Sequence, residues 1–213
     1  MIFYQIDAGG DRNFAYLMAD QEDGHAALFD PPPDTSVYLP LIEKHGLNVQ
    51  YIIITHGHAD HTWGVSEAHQ QTGGKVVAHK RCPVKAAVEV DDGDSLPLGT
   101  MTLNIFFTPG HSDDSICILG GKKLITGDIL FVGKVGGTDF GENARSEYDS
   151  LHKKIMTLDD DIEVYPGHNF GVHPSSTIGH ERKTNPFIRC DSFESFIDLK
   201  KNWLQYKKEH GIP

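Results

Sequence analysis

Short apolar runs alternate with longer amphipathic ones along the chain. Residues 2–7, 13–19 and 26–30 read as three strands separated by Gly- and Asp-rich turns, an antiparallel edge. Pro31, Pro32 and Pro33 then break the chain; Thr35 or Ser36 is placed to cap a helix ending near His45, and Gly46 stops it. Residues 51–54 are continuous and largely β-branched, the pattern of a strand covered on both faces. A helix over about 62–72, ended by Gly73 and Gly74, leads to a strand at 75–78. After a turn at 91–94 come strands at 101–108, 115–119 and 123–126, a helix around 145–158 and a strand at 162–165. A short helix near 176–183 and an amphipathic one from Asp191 to about His210 finish the chain. In the latter, Asp191 and Glu194 have the spacing of an N-cap and its reciprocal partner, and Gly211 is the stop. Strands and helices in this order predict one layered α/β (α+β) domain over residues 1–213, with 176–213 as a C-terminal helical extension.

Composition narrows the function classes. With 213 residues, 38% of them hydrophobic, the chain can bury a full core and is neither disordered nor a coiled coil. No apolar run approaches the ~18 residues of a membrane span, and residues 1–10 do not read as a signal peptide. Nineteen basic against 30 acidic residues give a net charge of −11, which argues against nucleic acid and anionic membranes as partners. The expected partner is a small molecule whose anionic parts, if any, are met by a local site; the oligomeric state is left open. Cys82, Cys117 and Cys190 form no CxxC pair and point to a reducing, cytoplasmic location.

Histidine is the anomaly, at 13 residues. Five fall directly after expected strands. His56, His58, Asp60 and His61 lie within six positions, and the segments 108–112, 126–128 and 165–168 add His111, Asp128 and His168. Ligands two residues apart converge on an ion from a tight loop, whereas helical pairs need offsets of three or four. Recurrence at successive strand ends is how one edge of a sheet builds a single site from several loops. Imidazole and carboxylate without thiolate suit Zn, Fe or Mn alike. Six or seven donors exceed one tetrahedral ion and match two divalent ions, about 3.5–4 Å apart in hydrolytic sites of this kind.

The pattern His-x-His-x-Asp-His, standing here as His56, His58, Asp60 and His61 and followed by His111, Asp128 and His168, resembles the metallo-β-lactamase fold hydrolases. Segments 108–111, 126–131 and 181–187 are most similar to the glyoxalase II (hydroxyacylglutathione hydrolase) and persulfide dioxygenase branch. The resemblance implies a four-layer αββα sandwich. It assigns His56, His58 and His111 to a first ion, Asp60, His61 and His168 to a second, and Asp128 as the bridge. Zinc is the expected metal, with Fe or Mn also suited. Asp60 and Asp128 would orient a bridging hydroxide that attacks a thioester. Lys134, Asn169 and Phe170 stand where the branch contacts substrate. Gly137 replaces the arginine of the dioxygenase form, which favours hydrolysis. The rivals are an iron persulfide dioxygenase using His56, His111 and Asp128, and a metal-binding module without turnover. Among the other residues, Trp63 and the aromatics of the last helix read as core, Asp113 and Asp114 as a solvated turn, and His79 and His173 as the remaining histidines closest to the mouth. Arg182 and Lys183 read equally as structural ion-pair partners and as substrate contacts.

Overall fold

The computed structural model describes residues 1–212, so residue 213 of the expected domain lies outside the described residues. One six-stranded sheet contains β1 (Ile2–Gly9), β2 (Asn13–Ala19), β3 (His25–Phe29), β4 (Asn48–Ile53), β5 (Lys75–His79) and β6 (Val88–Val90), side by side in that order. The pairs from β1 to β3 are antiparallel and those from β3 to β6 parallel. Its crossovers carry α1 (Leu39–His45), α2 (Ala59–Thr62) and α3 (Val65–Thr72). The second sheet starts with β7 (Ser95–Leu98), β8 (Met101–Phe107), β9 (Ile116–Gly120) and β10 (Lys123–Gly127). A hairpin of β11 (Leu130–Phe131) and β12 (Lys134–Val135) and helix α4 (Glu142–Lys153) intervene before β13 (Glu163–Pro166) and β14 (Ser176–Thr177). The spatial order is β14-β13-β10-β9-β8-β7, with β10 and β13 parallel. Helices α5 (Ile178–Thr184), α6 (Phe193–Lys201) and α7 (Trp203–His210) follow.

Strand β2 shows how the layers arise. Phe14, Tyr16 and Met18 pack between the sheets with Leu103, Ile105 and Ile118. The alternate residues Ala15, Leu17 and Ala19 face Tyr38, Val65 and Ala68 on the outer side. Successive strand side chains point to opposite faces, so every residue of β2 is buried, and Phe14 to Ala19 alternate between the two cores. A third cluster, including Cys117, Leu124 and Val164, is covered by Leu151, Ile178 and Phe196 on the far side of the second sheet. Three apolar layers between two sheets and two groups of helices make an αββα sandwich. Phe196 is fully buried, so α6 is pinned to this outer core. Among the described residues no helix is long and apolar enough to cross a membrane.

Several local expectations are corrected. Asp34, not Thr35 or Ser36, caps the first turn, a 3₁₀ segment Thr35–Val37, by accepting from the Ser36 amide. The α-helix begins only at Leu39, with Pro40 in its first turn, while Gly46 and Gly211 end α1 and α7 as expected. The last helix is two helices broken at Asn202. Its cap is Ser192, paired with Ser195 in a capping box, rather than Asp191 with Glu194. Trp63 is 61% exposed and not core, whereas Asp114 is buried and accepts from Ser112 instead of lying in a solvated turn. His79 stacks on Phe107 at 4.1 Å, and His173 is exposed. Arg182 pairs with Asp160 and donates to the Met156 and Leu158 carbonyls, a structural role.

The expected 62–72 helix is likewise split, with Gly64 between α2 and α3. A Cβ there would lie 2.2 Å from the Pro31 carbonyl oxygen and from Pro32 backbone atoms. The proline run is thus the wall that α2 and its ligands rest against. Gly64→Ala is expected to destabilise the fold by about 3 kcal/mol, the upper end for overpacking, because backbone cannot rotate away. Chemical denaturation of the metal-free protein measures this, and unchanged stability would refute the close packing.

Candidate metal centre

All seven ligand candidates converge at one edge of the sandwich. His56 and His58 follow β4, Asp60 and His61 lie in the short α2, and His111 comes from the β8–β9 loop. Asp128 follows β10 and His168 follows β13. The register of the β10–β13 pair shifts between Ile125 and Gly127, and the Gly167 amide donates to the Gly127 carbonyl at 2.7 Å. This bulge sets Asp128 and His168 side by side. Gly167 has to be glycine, since a Cβ would lie 2.2 Å from Asp128 Oδ1.

The donors form two triads. His58 Nδ1 lies 2.9 Å from His56 Nε2 and 3.0 Å from His111 Nε2. Asp60 Oδ2, His61 Nε2 and His168 Nε2 are 3.2–3.6 Å apart. Donors bound tetrahedrally at about 2.0–2.1 Å from zinc sit about 3.3 Å from one another, so both triads have the spacing an ion requires. Asp128 spans them. Its Oδ1 is 3.4 Å from His61 Nε2, and its Oδ2 is 3.5 Å from His111 Nε2 and 3.2 Å from His168 Nε2. Asp128 Oδ1 is also buried with no hydrogen-bond partner, as expected of an atom meant for a cation.

The ring nitrogens that face away from the centre are tied down. His61 Nδ1 is 2.8 Å from Asp30 Oδ2, His111 Nδ1 is 2.9 Å from the Gly137 carbonyl, and His168 Nδ1 is 2.9 Å from the Asp11 carbonyl. Each bond assigns the proton to Nδ1 and leaves Nε2 for an ion, the usual outer-sphere arrangement of ligating histidine. Sequence reasoning missed two such supports. Asp30, buried at a φ of 44°, also accepts from the Thr55 amide and hydroxyl at 2.8 and 2.6 Å. Asn13, also buried, donates to Asp60 Oδ2 at 2.9 Å. Asp30 carried one usable signal, an acid closing a buried strand just before Pro31; Asn13 carried none.

Comparison with known proteins places this arrangement. The family described as "Metallo-beta-lactamase superfamily" matches residues 8–81 and 83–168. The chain belongs to that superfamily. It is 34% identical over 194 residues to persulfide dioxygenase ETHE1, mitochondrial, of Homo sapiens, covering 89% of this chain and 76% of that protein. It is 31% identical over 226 residues to a hydroxyacylglutathione hydrolase of Anaeromyxobacter dehalogenans, covering 90% and 87%. Among solved structures, ETHE1 from Myxococcus xanthus matches with a TM-score of 0.89 and 34% identity over 95% of this chain and 91% of that one. TTHA1623 in a di-iron-bound form matches with a TM-score of 0.71 and 26% identity over 86% and 99%. The family is therefore shown, along with the metal-dependent chemistry it shares, and the relatives include both a hydrolase and a dioxygenase.

In this superfamily member the metal-free centre is strongly polarised. Burial holds His56 well below the usual imidazole range and His111 below it. Burial would do the same to His61, but Asp30 and Asp128 outweigh it and push that ring up to about 10. Burial would raise Asp128, yet its contacts with His168 and His61 hold it well below the carboxylate range.

A cavity of about 590 Å³ opens beside the second triad. Phe170 forms its inner wall, stacked on His168 at 4.5 Å, with the Arg12 guanidinium 4.7 Å and the Lys134 ammonium 4.8 Å from the Phe170 ring centre. Lys207 and Trp203 come from α7. Burial and the neighbouring Lys207 and Arg12 pull Lys134 below the usual lysine range. Of the three substrate candidates, Lys134 and Phe170 line this cavity. Asn169 is exposed and lines a separate cleft with Asp7 and Gly9. The 181–187 segment explains how Lys134 is presented. Buried Glu181 accepts from the Gly133 amide and from Asn185, and Asn185 donates to the Lys134 carbonyl.

Proposed function

We propose that this chain is a hydrolase with a binuclear metal centre that cleaves a thioester. Asp128 carries the reading, because its two oxygens reach donors of both triads, the place a shared ligand takes. His56, His58 and His111 would hold one ion and Asp60, His61 and His168 the other. The donor set suits zinc and also admits Fe or Mn. Two such ions supply a hydroxide nucleophile near neutral pH and polarise the scissile carbonyl. The chain's own part is orientation. Asp128 and Asp60 present carboxylate oxygens toward the space between the triads, and Asn13 fixes the rotamer of Asp60. The nearby hydroxyl and thiols are disarmed as nucleophiles: Ser112 is engaged by Asp114, and burial pushes the Cys82 and Cys117 thiols up to about 12. A thiolate is a stable leaving group, so the absence of a strong general acid beside the triads is no obstacle to thioester cleavage. Arg12, Lys134 and Lys207 face a cavity with Asp11 as the acidic residue on its wall, which favours a substrate whose remote end is anionic. Free Cys82, Cys117 and Cys190 fit action in the cytoplasm.

The similarity to ETHE1 over nearly the whole chain favours a second reading, an iron dioxygenase using His56, His111 and Asp128. Metal analysis of protein purified without added metal, combined with assays of S-lactoylglutathione hydrolysis and sulfide-dependent O₂ uptake, separates the two. Two ions per chain with thioester turnover is the expected result. One iron with O₂ consumption would overturn the hydrolase reading, and bound metal with neither activity would reduce the chain to a binding module.

A further inference from the structure

The Gly137 carbonyl that orients His111 sits in a glycine-rich stretch after β12, with Gly137 itself exposed between buried Gly136 and half-buried Thr138. Such a segment has little stiffness of its own. Its tie comes from the far end of the chain. The side chain of Lys200, on α6, is 6% exposed, and its ammonium group meets three partners. It donates to the Gly136 carbonyl at 2.7 Å and to Thr138 Oγ1 at 3.0 Å, and it forms an ion pair with the carboxylate of Glu147 on α4.

The same pair backs His111 from the other side. Glu147 is fully buried, and burial pushes its carboxyl up to about 7 against the pull of Lys200. A Cβ on Gly110 would lie 2.4–2.6 Å from Glu147 atoms, so the residue before His111 rests directly on this turn of α4. A Cβ on Gly136 would lie 3.0 Å from His111 Cβ and 2.1 Å from the Asp128 carbonyl oxygen. The 136–138 stretch is thus pressed against two ligand loops and pinned there by one buried ammonium group.

We infer that Lys200 is a positioning residue for the first triad: by fixing Gly136 and Thr138 it aims the Gly137 carbonyl that sets the proton and the ring orientation of His111. The C-terminal helical extension therefore takes part in assembling the metal centre. This rests on reading His56, His58 and His111 as the ligands of an ion.

The test titrates Co²⁺ alone into metal-stripped full-length protein, read by visible absorption and chelator competition. Lys200→Met alone would strand the Glu147 carboxylate, so the informative variant is the charge-neutral double, Glu147→Gln with Lys200→Met, checked for folding by its metal-free thermal melt. It is placed in a His168→Ala background, where the first triad is the complete one, and in a His58→Ala background, where the second is. Loss of an outer-sphere support costs a ligand site about 10- to 100-fold in affinity, so at least a tenfold weakening is expected in the first background and less than about threefold in the second. Unchanged Co²⁺ affinity in the His168→Ala background would overturn the role of Lys200, because Lys200 would then serve only to neutralise Glu147. Equal weakening in both backgrounds would overturn it too, as general loosening. A wild-type protein that binds no Co²⁺ would overturn the metal reading itself and this inference with it, an outcome distinct from the other two.

Discussion

Asp128→Ala is expected to remove bound metal and activity together. The carboxylate is 7% exposed, wedged under Gly167, and places an oxygen within 3.5 Å of donors in both triads. Without it both triads lose a neighbouring donor, and His61 and His168 lose the carboxylate that pairs with them. Metal centres supply several kcal/mol of transition-state stabilisation, so turnover is expected to fall roughly a thousandfold or more. Elemental analysis beside kcat/KM measures both effects. Full metal content with unimpaired turnover would refute the shared-ligand role. A variant that kept one ion and full activity would refute both the binuclear reading and the iron reading, since each takes Asp128 as a ligand.

The second large effect is expected at Asp30, a residue with no place in the ligand motif. Its buried carboxylate accepts from the Thr55 amide, the Thr55 hydroxyl and the His61 ring. Asp30→Ala leaves these donors without a partner and removes a counter-charge that holds His61 protonated in the metal-free state. Breaking a buried, hydrogen-bonded charge pair costs about 3–5 kcal/mol. The second triad is also expected to bind metal about 10- to 100-fold more weakly, since His61 loses its orienting bond. Asp30→Asn, which tolerates the left-handed backbone and keeps an acceptor, should recover part of the stability but less of the affinity. Urea denaturation of stripped protein and metal titration give the two readings. Wild-type stability in Asp30→Ala would show that these bonds contribute nothing.

These two residues mark the boundary of what the chain reveals unaided. Asp128 was readable because a ligand at a strand end, repeated in order with His56, His111 and His168, is a local pattern with a chemical reason. The four-layer sandwich was readable only through the family resemblance that those ligands carry; the order of strands and helices alone predicted one layered domain. Asp30 and Asn13 act across long separations, through hydrogen bonds that leave no trace in spacing, and only the folded chain shows them. The short strands β6, β7, β11 and β12 were missed because two to four residues carry too little periodicity. The break at Asn202 was missed because no Gly or Pro marks it and the apolar stripe runs through it. Trp63 was misread because its bulk argues for burial, whereas the Pro31–Gly64 contact turns α2 so that the indole faces solvent.

The parallel pairing of β10 with β13 also bears on when the metal arrives. Asp128 and His168 come together only after the chain has made the whole excursion through the hairpin and α4 and closed that pair. Contacts between distant segments form late, since loop closure must precede them. No complete second triad exists on the unfolded chain, so an ion that binds the triad stabilises only the folded state. The ions enter a scaffold already held by three apolar cores. The imidazole and carboxylate donors suit zinc, iron and manganese alike, which leaves the choice among them to site geometry and to metal supply.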